Sequence, residues 1–293
     1  MSRILCTGVA TQDHLLRVAH YPTEDSELRA LARSRQSGGN AGNTARVLAQ
    51  FRHEVELLAT LALDADGEWL TRELESAGVG LRYCPRRPGA TPTSFITLAA
   101  DRATRTIVHH RDLPETTPDA LDNLPIAVFD WFHFEGRAVP ETRAMLERIR
   151  AVRVDQGISL EMEKPRPGIE DLLPLADILL FSRAYALALG YTDPEHFLSE
   201  QHRQNPRAAL LTLTWGDAGA YGIECDGTVH RCPAQTPGNA IDTLGAGDTY
   251  NAGVIHALVS GRGLRAAIAY GVRLAGRKVT QHGFAHLADR EPL

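Results

Sequence analysis

The second half of the sequence alternates short apolar segments with amphipathic ones, and this alternation limits the fold more than any other feature. Four apolar segments predict buried strands, at residues 127–134, 152–162, 177–182 and 208–215. Five segments with helical periodicity lie between and after them, at residues 140–150, 183–190, 194–203, 246–260 and 264–281. Strands that alternate with helices form a parallel sheet with helices on both faces. Residues 220–225 and 228–232 predict an additional hairpin.

The first half contributes to this core and also interrupts it. Strands are predicted at residues 3–10 and 55–61, and helices at 41–51 and 66–77. Three further segments are half polar, which does not suit a sheet covered on both faces. They are a weak strand at 27–36 and an antiparallel hairpin of 93–100 and 104–110 around a turn at 101–103. We therefore expect a small β-sheet built from insertions.

These boundaries predict a single domain over residues 1–293 rather than two tethered ones. Its core comprises about 1–12, 38–90 and 113–293, and the insertions comprise about 13–37 and 91–112.

The composition excludes several classes of protein. Lys and Arg number 31 against 36 Asp and Glu, a net charge of −5, whereas nucleic-acid binding needs a concentrated basic surface. No apolar run approaches the roughly 20 residues that span a bilayer. Gln12 and Asp13 interrupt the apolar run near the N-terminus, which makes it a poor signal peptide. We expect a cytoplasmic protein with neither nucleic acid nor a membrane as its partner.

Cysteine and histidine give no sign of a metal centre. The four cysteines form no C-x-x-C pair, and the twelve histidines form no H-E-x-x-H pattern. Cys225 and Cys232 could face each other across the predicted hairpin, but in a cytosolic protein they would stay reduced. We expect all four cysteines to be packing residues.

The strongest local motif is D-T-L-G-A-G-D at 242–248, which runs directly into a predicted helix. A glycine-containing loop before a helix leaves backbone N–H groups free, and the helix end adds partial positive charge, so the motif suits an anion. Asp248 would repel a phosphate unless it faces a hydroxyl that attacks the phosphorus and accepts its proton. The alternative is a glycine turn followed by an Asp cap. No P-loop or G-x-G-x-x-G pattern is present.

Three other features could hold ligands. In S-G-G-N-A-G-N at 37–43, two asparagines share one face at a helix start and suit a polyol, although asparagine also caps helices well. Asp13 and Asp25 could bind pairs of sugar hydroxyls or be ordinary surface residues. In L-T-W-G-D-A-G at 213–219, a strand ends in a glycine turn at the edge where α/β sheets bind ligands, or in a simple connection.

Taken together and in this order, the motifs resemble the ribokinase-like (PfkB) family of carbohydrate kinases over essentially the whole chain. G-G-N-A-G-N at 38–43 is similar to its N-terminal signature and D-T-L-G-A-G-D-T-Y-N-A-G at 242–253 to its C-terminal one. Further similarity, at 133–137 and 161–166, is to the branch that phosphorylates fructose on its 1-hydroxyl. The resemblance implies a three-layer α/β/α core with a mostly parallel sheet, plus a small β-sheet lid (β-clasp).

The resemblance also implies roles for individual residues. Asp248 matches the catalytic base, and the flanking backbone matches the anion hole, at Gly245, Ala246 and Gly247. Arg105 matches an arginine that reaches substrate and phosphate when the lid closes. The sugar-binding positions correspond to Asp13, Asp25, Gly39, Asn40 and Asn43, with Arg137 as a further candidate. The turn beside the nucleotide corresponds to Trp215, Asp217 and Gly219.

The resemblance determines the two metal sites only in part. Asp242 matches a monovalent-cation ligand, so K⁺ is a possible cofactor beside ATP and Mg²⁺. Most family members have an N-x-x-E motif that organises Mg²⁺, whereas the corresponding stretch here is 182–185, S-R-A-Y. Glu161 and Glu163 are candidate substitutes.

The function implied is ATP-dependent transfer of a phosphoryl group to a hydroxyl of a ketohexose such as fructose. Other acceptors stay open, among them ribose, a nucleoside, 2-keto-3-deoxygluconate and a sugar phosphate. A sugar phosphate would need basic residues at the pocket, and only Arg105 and Arg137 can be assigned there from the sequence. A non-catalytic sugar or nucleotide sensor is a remoter alternative. Because an exposed lid edge invites pairing, we also expect a homodimer through the lid.

Overall fold

The computed structural model describes residues 1–102, 104–205, 208, 210–235 and 240–288. Ala103, in the predicted turn, and Ala209, in a predicted strand, lie outside the described residues. The strands are β1 Arg3–Thr7, β2 Thr11–Val18, β3 Ala32–Gly38, β4 Glu54–Leu58, β5 Leu61–Ala62, β6 Val79–Gly80, β7 Arg86–Arg87, β8 Thr93–Ala99, β9 Thr104–His110, β10 Trp131–Glu135, β11 Gly157–Met162, β12 Ile178–Phe181, β13 Leu210–Thr214, β14 Ala220–Glu224 and β15 Val229–Cys232.

The α-helices are α1 Asn40–Ala49, α2 Ala65–Ser76, α3 Val139–Val152, α4 Arg183–Ala188, α5 Pro194–Gln204, α6 Ala246–Val259 and α7 Leu264–Lys278. Short 3₁₀ helices occur at Pro118–Leu121, Ile126–Val128, Ile169–Leu175 and Gly216–Ala218. None of the helices in the described ranges is long and apolar enough to cross a membrane.

The main sheet has nine strands in the order β15-β14-β13-β12-β11-β10-β1-β4-β6. All neighbours from β13 to β6 are parallel, and β14 and β15 add an antiparallel hairpin at one edge. A separate four-stranded sheet has the order β3-β2-β8-β9, and β5 pairs with β7. The carboxyl ends of the parallel strands therefore meet at one edge, where open α/β sheets bind ligands.

Successive residues of β1 show why the main sheet needs helices on both faces. Ile4 and Cys6 pack into a cluster with α1, α2, α6 and α7, whereas Leu5 packs into a second cluster with α3, α4 and α5 on the other face. All three side chains are 0% exposed. A strand that buries both faces must be apolar throughout. The expected three-layer α/β/α core is thus the observed one.

The four-stranded sheet, here called the small sheet, has two different faces. The register aligns Asp13 with Ser94 and His109 in one row, and His14 with Phe95 and Val108 in the neighbouring row. Because successive strand residues point to opposite faces, these two rows face opposite ways. The first row faces the carboxyl edge of the main sheet, and the second faces outward.

Arg35 connects the small sheet to the core. The Arg35 guanidinium carbon lies 3.7 Å from the centre of the Trp69 ring on α2, and its Nη2 is 2.7 Å from Asp66 Oδ1. A stacked and paired guanidinium stabilises this contact in two ways. The contact fixes the β3 side of the small sheet against the core.

Several elements differ from those predicted. β2 was not predicted, because its polar residues Gln12, Asp13 and His14 break the apolar pattern. The strand predicted at 127–134 begins only at Trp131, and the one predicted at 152–162 begins at Gly157, since α3 continues to Val152. All four cysteines are free thiols, but Cys225 is exposed rather than packed.

Candidate active site

Helix α6 presents Asp248 at the carboxyl edge of the main sheet. The helix begins after Gly245, whose φ of +74° is left-handed and would be strained in other residues. An added Cβ at Gly245 would also lie 2.3 Å from Cζ of Phe284. Asp248 is in the first turn and buried, and its Oδ2 accepts a hydrogen bond from Asn43 Nδ2 at 2.7 Å. The carboxylate is therefore held in one orientation beside a helix N-terminus.

The electrostatic surroundings favour the protonated form of Asp248. Burial, together with the charges of Glu163 and Glu135, raises the pKa of Asp248 to about 8, although the Asn43 hydrogen bond opposes this shift. Burial, with the charges of Asp248 and Glu135, also raises the pKa of Glu161 well above its ordinary value. A carboxylate with a raised pKa is a better proton acceptor once it is ionised.

The two asparagines of the N-terminal motif connect α1 to this carboxyl cluster. Asn40 Nδ2 donates to Glu161 Oε1 at 3.3 Å, and Asn251 Nδ2 donates to the same oxygen at 3.1 Å. Asn43 Oδ1 is buried and has no hydrogen-bond partner among the described residues. An unpaired buried acceptor of this kind suits a donor on a bound ligand.

Two glycines make room for Asp13 and for the turn into α1. An added Cβ at Gly38 would lie 2.1 Å from Asp13 Oδ2, so a side chain there would displace the carboxylate. Gly39 has a φ of +90°, and its Cβ would lie 2.3 Å from the carbonyl oxygen of Val9. Asp13 is buried, and its Oδ1 accepts a bond from Thr11 Oγ1 at 2.9 Å. Burial raises the pKa of Asp13, against the hydrogen bonds of Ser94 and Thr11.

These side chains line a cavity of about 490 Å³ between the main and small sheets. The N-terminal and C-terminal motifs form its floor. The small sheet forms its roof with the side chains of Ser94, Ile96, Arg105, Ile107 and His109. The cavity is named the polar cavity here, because carboxylates, amides and basic groups converge in it.

A second cavity of about 360 Å³ adjoins the first and is mainly apolar. Its walls come from α7 and from the turn after β13, including Asp217 and Gly219. The described residues that line both cavities are Thr214, Thr243, Ala246 and Gly247. An added Cβ at Gly247 would meet nothing within 4 Å, so the backbone there borders open space. Asp248 therefore lies where a group from one cavity can meet a group from the other.

Two arginines at the rim of the polar cavity differ in their hydrogen-bond partners. Arg105 Nη1 donates to Thr243 Oγ1 at 2.7 Å, which links the small sheet to the loop before α6. Arg137 is fully paired, since Nε donates to both oxygens of Glu115 at 2.9 Å and Nη1 donates to Glu135 at 2.9 Å. Burial lowers the pKa of Arg137, but Glu135 and Glu115 raise it above its ordinary value.

Three predicted site residues lie elsewhere. Asp25 is exposed in the loop between β2 and β3 and lines neither cavity. Trp215 is only 9% exposed and packs in the apolar cluster beneath the turn, because its side chain points into the core. The carboxylate of Asp242 is occupied: Oδ2 accepts from Lys278 Nζ at 2.9 Å and Oδ1 from Leu244 N at 2.9 Å. Both of its oxygens therefore already have a donor from the protein, and its role as a monovalent-cation ligand stays a prediction.

Other lining residues were not foreseen from the sequence. His109 stands two residues from Ile107 and four from Arg105 on β9, so the strand period of two could have placed it on the same face. Asn251 stands three residues after Asp248, on the same side of α6. Lys164 and Arg166 also line the polar cavity and add basic groups that the sequence did not assign.

The geometry is that of a group-transfer site. A carboxylate with a raised pKa stands at a helix N-terminus, between a polar cavity suited to hydroxyls and an apolar cavity suited to a flat ring. The family model for pfkB family carbohydrate kinases matches residues 1–290, and the chain belongs to this family. The expected resemblance is thereby confirmed, and the chain is a phosphotransferase with an alcohol acceptor. Kinases of this family use ATP.

The relatives that cover almost the whole chain include two further kinds of kinase. Mouse ketohexokinase is 30% identical over 290 residues, which are 96% of this chain and 97% of the mouse protein. The ATP-dependent ribose-1-phosphate kinase of Halopiger xanaduensis is 28% identical over 293 residues, which are 95% of this chain and 93% of that protein. A structure of Arabidopsis thaliana ribokinase complexed with ribose and ATP superposes with a TM-score of 0.80 at 19% identity, over 96% of this chain and 94% of that one. The last comparison confirms the ribokinase-like fold.

Proposed function

We propose that the protein transfers the γ-phosphoryl group of ATP to a hydroxyl of a ketohexose such as fructose, giving the 1-phosphate. The observation that carries this proposal is the position of Asp248 at the junction of the two cavities, hydrogen-bonded to Asn43. The identity of 30% to mouse ketohexokinase supports a ketohexose as the acceptor.

In this proposal the two cavities hold the two substrates. The apolar cavity takes the nucleotide base, with Asp217 and Gly219 beside it. The polar cavity takes the sugar, whose hydroxyls bind Asp13, Gly39, Asn40 and Asn43. Asp248 accepts the proton of the attacking hydroxyl, and the backbone from Gly245 to Gly247 stabilises the charge on the transferred group. Such a transfer depends mainly on positioning and electrostatics.

The carboxyl groups of the polar cavity fit Mg²⁺ as a partner of ATP. Glu161 Oε2 is buried and has no hydrogen-bond partner among the described residues, and Glu163 lines the same cavity. Carboxylate oxygens are preferred ligands of Mg²⁺, and these two residues would hold it. When bound, the ion would neutralise part of the phosphate charge. Within the described part of the chain no three His, Cys, Asp or Glu residues form a metal cluster of their own.

We propose that the small sheet acts as a lid on a single kinase domain. Arg105 on β9 would contact both the substrate and the phosphate when the lid is closed, as its bond to Thr243 already spans the two parts. A closed lid excludes water, which would otherwise compete with the sugar for the phosphoryl group.

We also propose a homodimer through the outer face of the lid. Phe95 and Val108 lie opposite each other on this face and are 54% and 65% exposed, and His14 stacks on Phe95. Pairing two such faces would bury their apolar side chains. Light scattering at micromolar concentration is expected to give twice the chain mass, and Val108→Glu is expected to give the monomer. A monomeric wild type would contradict the dimer.

A sugar phosphate is the second candidate acceptor. Lys164 and Arg166 line the polar cavity, and one relative is named as a ribose-1-phosphate kinase. Against it, the basic groups are mostly paired, since Lys164 Nζ lies 3.1 Å from Glu163 and Arg137 binds two carboxylates. A neutral sugar therefore suits the cavity better.

One assay tests these alternatives together. ADP release is measured with fructose, ribose, ribose 1-phosphate, a nucleoside and 2-keto-3-deoxygluconate, and the product of the best acceptor is assigned by ³¹P NMR. We expect the highest kcat/KM with fructose and a signal for the 1-phosphate. The Asp248→Asn variant controls for contaminating kinases. Faster turnover of ribose 1-phosphate would favour the second candidate, and no turnover with any acceptor would favour a sensor.

A further inference from the structure

Lys278, the last residue of α7, is a buried lysine outside the set of residues already assigned to the site. Its side chain is 0% exposed, which is rare for lysine. Nζ donates to Asp242 Oδ2 at 2.9 Å and to the Asp242 carbonyl oxygen at 3.2 Å, and it lies 5.2 Å from the centre of the Phe284 ring. Burial of a charge is unfavourable without such partners, so Lys278 depends on its contact with Asp242.

The partner of Lys278 begins the loop that leads into α6. The backbone N–H groups of Ile241 and Asp242 donate to the carbonyl oxygen of Val279 at 2.6 and 3.1 Å. Asp242 Oδ1 in turn accepts from Leu244 N at 2.9 Å. The end of α7 therefore holds the start of the loop through its backbone and through the Lys278 side chain. Through its bond to Leu244 N, the Asp242 carboxylate also holds the loop two residues further along.

The same loop ends at the proposed anion hole. Gly245 follows Leu244 directly and is the residue before α6, and Gly247 and Asp248 belong to the first turn. A shift of the loop start would change the direction in which these backbone N–H groups point. Misplacement by about 1 Å can reduce a rate by up to about 10²-fold, even when its origin is remote from the reacting atoms.

We infer that Lys278 is a positioning residue for phosphoryl transfer, which acts through Asp242 on the loop that orients the Gly245–Gly247 backbone beside Asp248. The inference rests on the proposed kinase function and deepens it. Lys278 lines neither cavity, so its effect on substrate binding is indirect. Its contribution belongs to the chemical step rather than to recognition of the sugar.

The test replaces Lys278 by Met and by Arg in the full chain and measures kcat and both KM values with the best acceptor. We expect Lys278→Met to lower kcat by about 10- to 100-fold, with the KM of the sugar changed less than about threefold. Lys278→Arg should recover most of kcat, because it restores a donor to Asp242. The matched control is Leu274→Ala, one turn earlier on α7 and 2% exposed, which should lower the melting temperature without this loss of kcat.

The outcomes separate the inference from the proposed function. A folded Lys278→Met variant with kcat within about twofold of the wild type would overturn the inference. So would a Leu274→Ala variant that loses as much kcat as Lys278→Met does. If Lys278→Met does not fold, the double variant Asp242→Asn/Lys278→Met is assayed in its place. The double variant has no unpaired buried charge, because the carboxylate of Asp242 is also removed. Normal kcat in the double variant overturns the inference as well. A wild type that turns over no acceptor contradicts the proposed kinase function instead.

Discussion

Replacing Asp248 by Asn tests the proposed base and its surroundings in one variant. The substitution keeps the size of the side chain and an oxygen that can accept the bond from Asn43 at 2.7 Å. It removes the group that can take a proton. We expect kcat to fall by at least about 10²-fold, with a modest change in the KM of the sugar.

The same substitution, which lowers kcat, is expected to raise the stability of the folded protein. Burial raises the pKa of Asp248 to about 8 from an ordinary value of 3.8, so the folded state holds a proton that the unfolded state has released. The free energy of unfolding therefore falls as pH rises between these two values. At 1.36 kcal/mol per unit, the destabilisation at pH 7 is at most about 4 kcal/mol. The neutral amide introduced by Asp248→Asn has no such penalty.

Two measurements follow. Asp248→Asn should melt at a higher temperature than the wild type at pH 8, and the difference should shrink towards pH 5. The kcat/KM of the wild type should rise with pH until Asp248 is ionised, and the residual activity of the variant should lack this step. Asp13→Asn is the control, since loss of that carboxylate should raise the KM of the sugar and spare most of kcat.

Either of two results would refute the reasoning. A variant that retains more than a tenth of the wild-type kcat would show that Asp248 is not the base. A variant less stable than the wild type at pH 8 would show that the carboxylate is not destabilised by its surroundings.

Three further substitutions have defined outcomes. Arg105→Ala should raise the KM of sugar and of ATP and lower kcat, and unchanged steady-state kinetics would remove it from the site. Gly38→Ala should raise the Kd of the sugar, since its methyl group would overlap the Asp13 carboxylate 2.1 Å away, and calorimetric titration of the sugar measures this Kd. Gly245→Ala should lower the free energy of urea unfolding by about 1–3 kcal/mol, because its φ is +74° and Phe284 fills the space of a Cβ; an equal midpoint would contradict this strain.

The sequence predicted the parts of the site that lie within continuous motifs. Asn43 and Asp248 are 205 residues apart, yet each was expected at the start of a helix, and parallel topology brings both helices to one edge. What the sequence could not supply was the direction of side chains in turns and loops. Trp215 was placed in the correct turn, but its ring enters the core rather than the cavity. Asp25 stands in an exposed loop whose path no periodicity fixes.

Polar residues account for the other differences between the predictions and the structure. β2 was missed because Gln12, Asp13 and His14 do not alternate with apolar residues as a covered strand does, although Asp13 is polar because it faces the polar cavity. Lys278 was missed because a lone lysine at a helix end is usually exposed, and its partner Asp242 lies 36 residues earlier. Buried ion pairs of this kind depend on tertiary packing and have no local pattern.

The small number of residues shared by the two cavities has a consequence for how such an enzyme can diversify. Among the described residues, the walls have only Thr214, Thr243, Ala246 and Gly247 in common. If the polar cavity holds the acceptor and the apolar cavity the donor, as proposed, mutations in the roof of the polar cavity, at Ile107 for example, would exchange one acceptor for another without altering how the phosphoryl donor is held. Donor and acceptor preference would then be nearly independent traits of one chain.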